Sequence, residues 1–201
     1  MKSGKLWTAV FCGALLCCVG GAKASTYIVT MQEVGAGVVA TGSGQIDLTG
    51  LTAIGTIGSS AGIRPVNADV VLGTPGLADG YSGVSGPTNF GSGGIAFAST
   101  TSGPRVASLP LFGALLVPLG YVSDTALGAS TITFSTATLA SLGVTPGTYV
   151  WTWGQGADQR FELDVVSSTP LPAALPLFAT GLGALGLFGW RRKKKAAALA
   201  A

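Results

Sequence analysis

The chain is 201 residues long, with 9% charged residues and a formal net charge of +3. It contains no histidine, which removes the commonest general base near neutral pH and the commonest metal ligand. Hydrophobic residues make up 48% and glycine alone contributes 32 positions, a balance that excludes a disordered, charge-rich chain.

Met1 to Ala24 has the layout of a secretory signal peptide. Lys2 and Lys5 form a basic start, Leu6 to Val19 an apolar run, and Ala22-Lys23-Ala24 a small-residue cleavage site. Cleavage after Ala24 leaves Ser25 as the new N-terminus. A lipoprotein start is disfavoured, because Leu16 precedes Cys17 and Cys17 precedes Cys18, where a small residue is wanted. Cys12, Cys17 and Cys18 all leave with this segment, so the mature chain has no thiol, no disulfide and no zinc ligand of the Cys or His type.

Charge is unevenly spread. Between Ser25 and Thr169 only Arg64, Arg105 and Arg160 stand against eight acids: Glu33, Asp47, Asp69, Asp79, Asp124, Asp158, Glu162 and Asp164. The body is therefore mildly acidic, and nucleic acid is excluded as a partner, since neutralising phosphates needs clustered Lys and Arg. Residues 25–168 suit one extracytoplasmic domain.

Short β-rich runs between turn signals predict an all-β fold, a single β-sandwich or jelly roll of seven to nine strands. Tyr27–Thr30 and Val38–Thr41 form the first pair, followed by Gln45–Leu48 and Val66–Leu72. Gly73–Pro104 is rich in Gly, Ser and Pro and is expected to be mostly loop, with a strand at Ile95–Ala98. Leu111–Val117 is apolar throughout and predicts a fully buried strand. Thr131–Thr138 alternates as a half-buried strand, and Thr138–Leu142 predicts one helical turn ending at Gly143. Thr148–Trp153 and Arg160–Val166 flank Gly154–Gln159 and predict a hairpin. No internal repeat is evident, so a solenoid is not favoured.

Three features carry possible chemistry. Gly58-Ser59-Ser60-Ala61-Gly62 has the G-x-S-x-G spacing of a nucleophile elbow, but without histidine it reduces to a turn of small residues. Asp158, Glu162 and Asp164 share a strand face with Arg160, opposite Phe161, Leu163 and Val165; a solvated face explains them more simply than a catalytic carboxylate pair. No dense Asp-rich loop suggests calcium, and the sequence implies no cofactor. Tyr149, Trp151 and Trp153 share the opposite face of their strand from Val150 and Thr152. Exposed, the three rings would stack on sugar faces and make a carbohydrate-binding module for exopolysaccharide, with Trp153 the most exposed; buried, they fill the core. Thr131, Thr133, Thr136 and Thr138 lie on one strand with a broken register, which is not the repeated array that ice or surface adhesion needs.

The C-terminal segment from Thr169 is the most specific stretch. Pro170-Leu171-Pro172 comes first. Leu171 to Trp190 then runs without a charged side chain, and Arg191, Arg192, Lys193, Lys194 and Lys195 follow. Twenty helical residues span roughly 30 Å, the thickness of a hydrocarbon core, so residues 171–190 are predicted to cross a lipid bilayer. Trp190 is placed at the headgroup level and the five cations on the cytoplasmic side. Pro176 falls in the first turns, where a missing N–H does least harm. Gly181 to Gly186 matches G-x-G-x-x-G, but within this segment the glycines are small residues of a transmembrane helix.

This order resembles the PEP-CTERM sorting signal of Gram-negative bacteria, in which a Pro-Glu-Pro motif precedes one transmembrane helix and a terminal basic cluster. Leu171 stands where that family usually has Glu. The stretches VVATGSGQIDLTGL and PGTYVWTWGQGADQRFELDV are similar to segments of exported bacterial proteins carrying such a tail. The resemblance implies export, passage through the inner membrane as a single-pass intermediate, and cutting by a membrane-embedded exosortase near the proline motif. Release to the cell surface or extracellular matrix would follow. The expected function is that of a non-enzymatic surface or matrix protein; a permanently anchored single-pass protein is the alternative.

Overall fold

The computed structural model describes residues 25–167 and, within the tail, Thr180. The segments 1–24 and 168–201, Thr180 apart, lie outside the described residues, and with them the predicted signal peptide and span. Among the described residues no helix is long and apolar enough to cross a membrane.

Among the described residues, thirteen strands form two sheets. The six-stranded sheet has the order β12-β13-β1-β2-β11-β8, from Gly147–Thr152, Arg160–Val166, Thr26–Val34, Gly37–Gln45, Ala126–Phe134 and Thr100–Ser102. The seven-stranded sheet has the order β3-β6-β10-β9-β5-β4-β7, from Thr52–Ser59, Gly76–Ser82, Ala114–Pro118, Val106–Leu109, Asp69–Leu72, Gly62–Arg64 and Ala96–Phe97. Tyr27, Val29 and Met31 of β1 alternate inward and share one core with Val70 and Leu72 of β5 and Leu115 and Val117 of β10. The all-β, sandwich-like character follows from this two-period alternation closing a core between two sheets. β1 and β13 run parallel, pairing Thr26 with Arg160 and Gln32 with Val166, so the pairing departs from the antiparallel jelly roll.

The predicted pair at Tyr27–Thr30 and Val38–Thr41 forms in register, Thr30 opposite Thr41, and so does the hairpin, Thr148 opposite Asp164. The helical turn also forms: the Leu142 N–H donates to the Thr138 carbonyl at 3.0 Å, and Gly143 has φ +64°. Other boundaries differ. β2 ends at Gln45, and residues 46–48 turn away from it, held by the Tyr121 and Ser123 hydroxyls, which accept from the Ile46 and Leu48 N–H groups at 2.9 Å. β3, β6 and β8 form from runs too rich in Gly, Ser and Thr to stand out by hydropathy, and β4 and β9 are only three and four residues long.

The two strands predicted at Val66–Leu72 and Leu111–Val117 are each broken by the same device. Pro65 opens a single 3-10 turn to Asn67, and Pro110 one to Phe112. Proline's fixed φ suits the first position and its missing N–H is no loss there. Ala68 (φ 58°) and Gly113 (φ 58°) then enter the left-handed region, their N–H groups returning to the Pro65 and Pro110 carbonyls. Two hairpins with one turn geometry therefore lie side by side, β4–β5 and β9–β10, joined where Val70 faces Ser108.

The seven-stranded sheet is strongly curled. In its order β3 and β4 are five strand spacings apart, about 24 Å in a flat sheet. Only Ser60 and Ala61 connect them, and the three Cα steps from Ser59 to Gly62 reach at most about 11 Å. The sheet must bend until its two ends approach. The Arg105 guanidinium fastens the bend from β9's side, donating to the Thr74 carbonyl at 3.1 Å and to the carbonyl and hydroxyl of Ser59.

Candidate functional site

The aromatic strand face does not form the exposed row that sugar stacking needs. Trp151 is 0% and Trp153 4% exposed. The alternation along β12 is as expected, but the shared face points inward, because the segment before Phe90 lies against this edge strand. Ser85 pairs with Thr152, and the Trp151 indole N–H donates to the Pro87 carbonyl at 2.8 Å. Trp153, expected to be the most exposed, donates its indole N–H to the Asp47 carbonyl at 2.7 Å. Tyr149 is half-buried, tilted against Phe90 at 5.9 Å with its hydroxyl donating to the Thr145 carbonyl at 3.0 Å. Buried indoles need a partner for their one donor, and both have it. These are core residues.

Beneath Trp153 sits a polar knot that sequence patterning did not reveal. Gln159 is buried and donates its amide to Asp47 Oδ2 at 2.9 Å and to the Thr49 carbonyl at 2.6 Å. Its oxygen accepts the N–H groups of Gln155 and Gly156 at 3.0 and 2.7 Å. Partial burial would raise the Asp47 carboxyl, but hydrogen bonds from Thr49, Ser123 and Gln159 outweigh it and hold the group below the usual carboxylate range. Every group here is occupied by a neighbour, so the knot closes the 154–159 loop and offers no free chemistry.

Asp158, Glu162 and Asp164 do not converge on a cleft. Glu162 pairs with Arg160 at 3.5 Å, and Asp164 accepts the Thr148 hydroxyl at 2.6 Å. Ser60, the middle residue of the G-x-S-x-G run, is one of the two residues linking β3 to β4. Thr131 and Thr133 face outward, whereas Thr136 has left the strand with φ 60° and Thr138 bonds with Ser141. Among the described residues no three Asp or Glu side chains are grouped to hold a metal. Pro170, Leu171 and Pro172, Trp190 and Arg191 to Lys195, and Ala22 and Ala24 lie outside the described residues.

The concave face of the curled sheet holds a groove of about 290 Å³. A rank of directly opposed residues crosses all seven strands, Phe97, Gly62, Val71, Ala107, Leu116, Gly80 and Gly55, and its first three line the groove. Gly62 lets two strands approach closely: a Cβ there would lie 2.2 Å from the Ala96 carbonyl oxygen. Val71, Ala78, Ala107 and Leu116 form a second, smaller apolar cluster on this face. Phe97 (63% exposed) and Phe112 (69%) stand on the rim.

Ser59 and Ser60 line one side of the groove, and its charged part is Arg64 opposite Asp69, paired in register on β4 and β5 with Nε to Oδ2 at 3.8 Å. Asp69 is 8% exposed, and its Oδ1 is buried without a hydrogen-bond partner. Burial pushes its carboxyl up, and the Arg64 charge opposes this only in part. Arg64 and Asp69 meet across the Pro65 turn, inside what was expected to be one strand, so the sequence did not place them together.

No protein family, curated protein or solved structure matches the chain.

Proposed function

We propose that the chain is an exported, non-enzymatic cell-surface or extracellular-matrix protein, delivered by a PEP-CTERM-like tail that an exosortase processes. The observation that carries this reading is the order of the tail: Pro170-Leu171-Pro172, twenty uncharged residues and five cations. An uncharged stretch of that length matches a bilayer, and the cation block orients it with its C-terminus in the cytoplasm. The body supports delivery as a folded unit. It is a β domain whose last strand ends at Val166, four residues before Pro170, so the cutting site would sit just outside the folded part.

The body supports a structural role over catalysis. Of the three candidate acids, Asp158 lies in the turn before β13, and Glu162 and Asp164 on β13 engage Arg160 and Thr148, while the serine of the G-x-S-x-G run connects two strands at the groove's edge. The test is a reporter fused after Ala201 together with a chain ending at Thr169. The reading expects the reporter on the cytoplasmic side and mislocalisation of the shortened chain. A reporter outside the cell, or unchanged trafficking without the tail, would overturn it.

A further inference from the structure

The groove on the concave face of the seven-stranded sheet is built for a ligand that the surface-protein reading does not supply. We propose that it binds a neutral sugar unit, with Asp69 and Arg64 engaging hydroxyls and Phe97 and Phe112 covering the C–H faces of the ring.

Asp69 provides the first argument. Its Oδ1 is buried without a partner, and Arg64 at 3.8 Å is beyond hydrogen-bond distance of Oδ2. A carboxylate has about four lone-pair sites, and neither oxygen of Asp69 takes a hydrogen bond from Arg64, so a hydroxyl entering the groove meets an acceptor with unused capacity.

Charge selects the donor. A cation approaching Asp69 meets Arg64, and an anion approaching Arg64 meets Asp69, so the pair as a whole is neutral and disfavours both. A polyol satisfies both residues at once, because each hydroxyl donates to the carboxylate and accepts from the guanidinium. Ser59 and Ser60 add polar lining on one side, and Val71, Ile95 and Leu109 with the two rim rings supply apolar walls. A sugar ring combines these properties: hydroxyls at its edge and C–H groups on its faces. The volume, about 290 Å³, lies at the lower end of small-molecule sites and suits one ring with part of a neighbour rather than a buried oligosaccharide. Phe97 and Phe112 are exposed at the rim, where a continuing polymer would leave the groove. The site is independent of the tail, so its failure leaves the sorting reading intact, and failure of sorting leaves the site intact.

The test is saturation-transfer NMR on the full chain in detergent. The probes are neutral tetrasaccharides of β-1,4-glucose, α-1,4-glucose, mannose and galactose, with tetragalacturonate and acetyl-tetraalanine amide alongside. The expected result is transfer to the ring C–H protons of at least one neutral tetrasaccharide, with Kd on the order of 1 mM. Phe97→Ala and Phe112→Ala, at exposed positions that leave the core untouched, are each expected to weaken it about tenfold. Asp69→Asn is expected to weaken it comparably. Three results overturn the proposal: no transfer to any neutral tetrasaccharide at about 10 mM, transfer only to the acidic sugar or the peptide, or binding unchanged in the two phenylalanine variants.

Discussion

Trp151 and Phe161, directly opposed on β12 and β13, meet edge to face with ring centroids 5.8 Å apart and planes inclined at 64°. Phe161 stacks in turn on Tyr27 at 5.6 Å and 22°, so three aromatic side chains from three neighbouring strands form the centre of the six-stranded sheet's inner face. Trp151→Ala is expected to destabilise the protein by about 3–5 kcal/mol, the cost of a large cavity with an orphaned Pro87 carbonyl. Trp151→Phe should cost less, since it keeps most of the packing. Urea unfolding checks both; a Trp151→Ala change within experimental error would mean that the ring is not in the core.

Tyr27 gives the fold an alkaline limit. Burial pushes its phenol up to about 12, and the Ser130 hydroxyl, itself donating to the Pro104 carbonyl, offsets this only in part. The folded value lies above the unfolded one near 10, so the unfolded state releases this proton first as pH rises. Stability is then full below pH about 10 and falls by about 3 kcal/mol by pH about 12. Tyr27→Phe should remove that limb while changing neutral-pH stability by no more than the Ser130 contact is worth, about 1 kcal/mol. Denaturation midpoints measured across pH 9–12 for both proteins decide this.

Asp47 acts at the other end of the scale. Its carboxyl is held below the usual range, so its contribution is present above the unfolded value near 4 and disappears as pH falls through the lower folded value. Asp47→Asn should flatten the acid limb of the stability curve and leave the alkaline limb unchanged. An acid limb of unaltered slope in that variant would show that other carboxyls control it.

Gly113 and Ala68 occupy the same left-handed position in the two Pro-led turns. Gly113→Ala is expected to cost about 1 kcal/mol through the φ of 58° alone, since the nearest atom to an added Cβ, the Val84 carbonyl oxygen, is at a tolerable 3.4 Å. Gly113→Asn should cost less, as asparagine accepts this conformation better. Equal stability of all three proteins would contradict the shared-turn geometry.

Arg105 holds the curl of the seven-stranded sheet. Replacing it with Met keeps much of the stem's packing but leaves the Ser59 and Thr74 carbonyls without their donor. A loss of about 2–3 kcal/mol is expected, with Lys rescuing little because one ammonium cannot reproduce the fork. Hydrogen exchange at Ser59 to Gly62 should accelerate in Arg105→Met; unchanged protection there would show that the curl is held by pairing alone.

How much of this was legible in the sequence depends on the kind of signal. The β1–β2 pair and the β12–β13 hairpin were legible because their inward faces are large and their outward faces polar, as in Phe161, Leu163 and Val165 against Glu162 and Asp164. The Pro65 and Pro110 turns were not, since Val66 and Leu111 read as strand residues although both side chains are exposed at turn tips. Alternation showed that Tyr149, Trp151 and Trp153 share a face but cannot say which way that face points. Direction is a property of the 85–90 segment that packs against it. The outward rank Thr148, Asp164, Thr30, Thr41, Thr131 and Ser102 was invisible for a related reason, because it takes one residue from each of six strands.

The most direct measurement is the intact mass of the protein recovered from growth medium and from membranes. The account predicts a surface or medium form that begins at Ser25 and ends near Thr169 or Pro172, with the uncut tail confined to the membrane fraction. Retention of Lys195 in every fraction would contradict it.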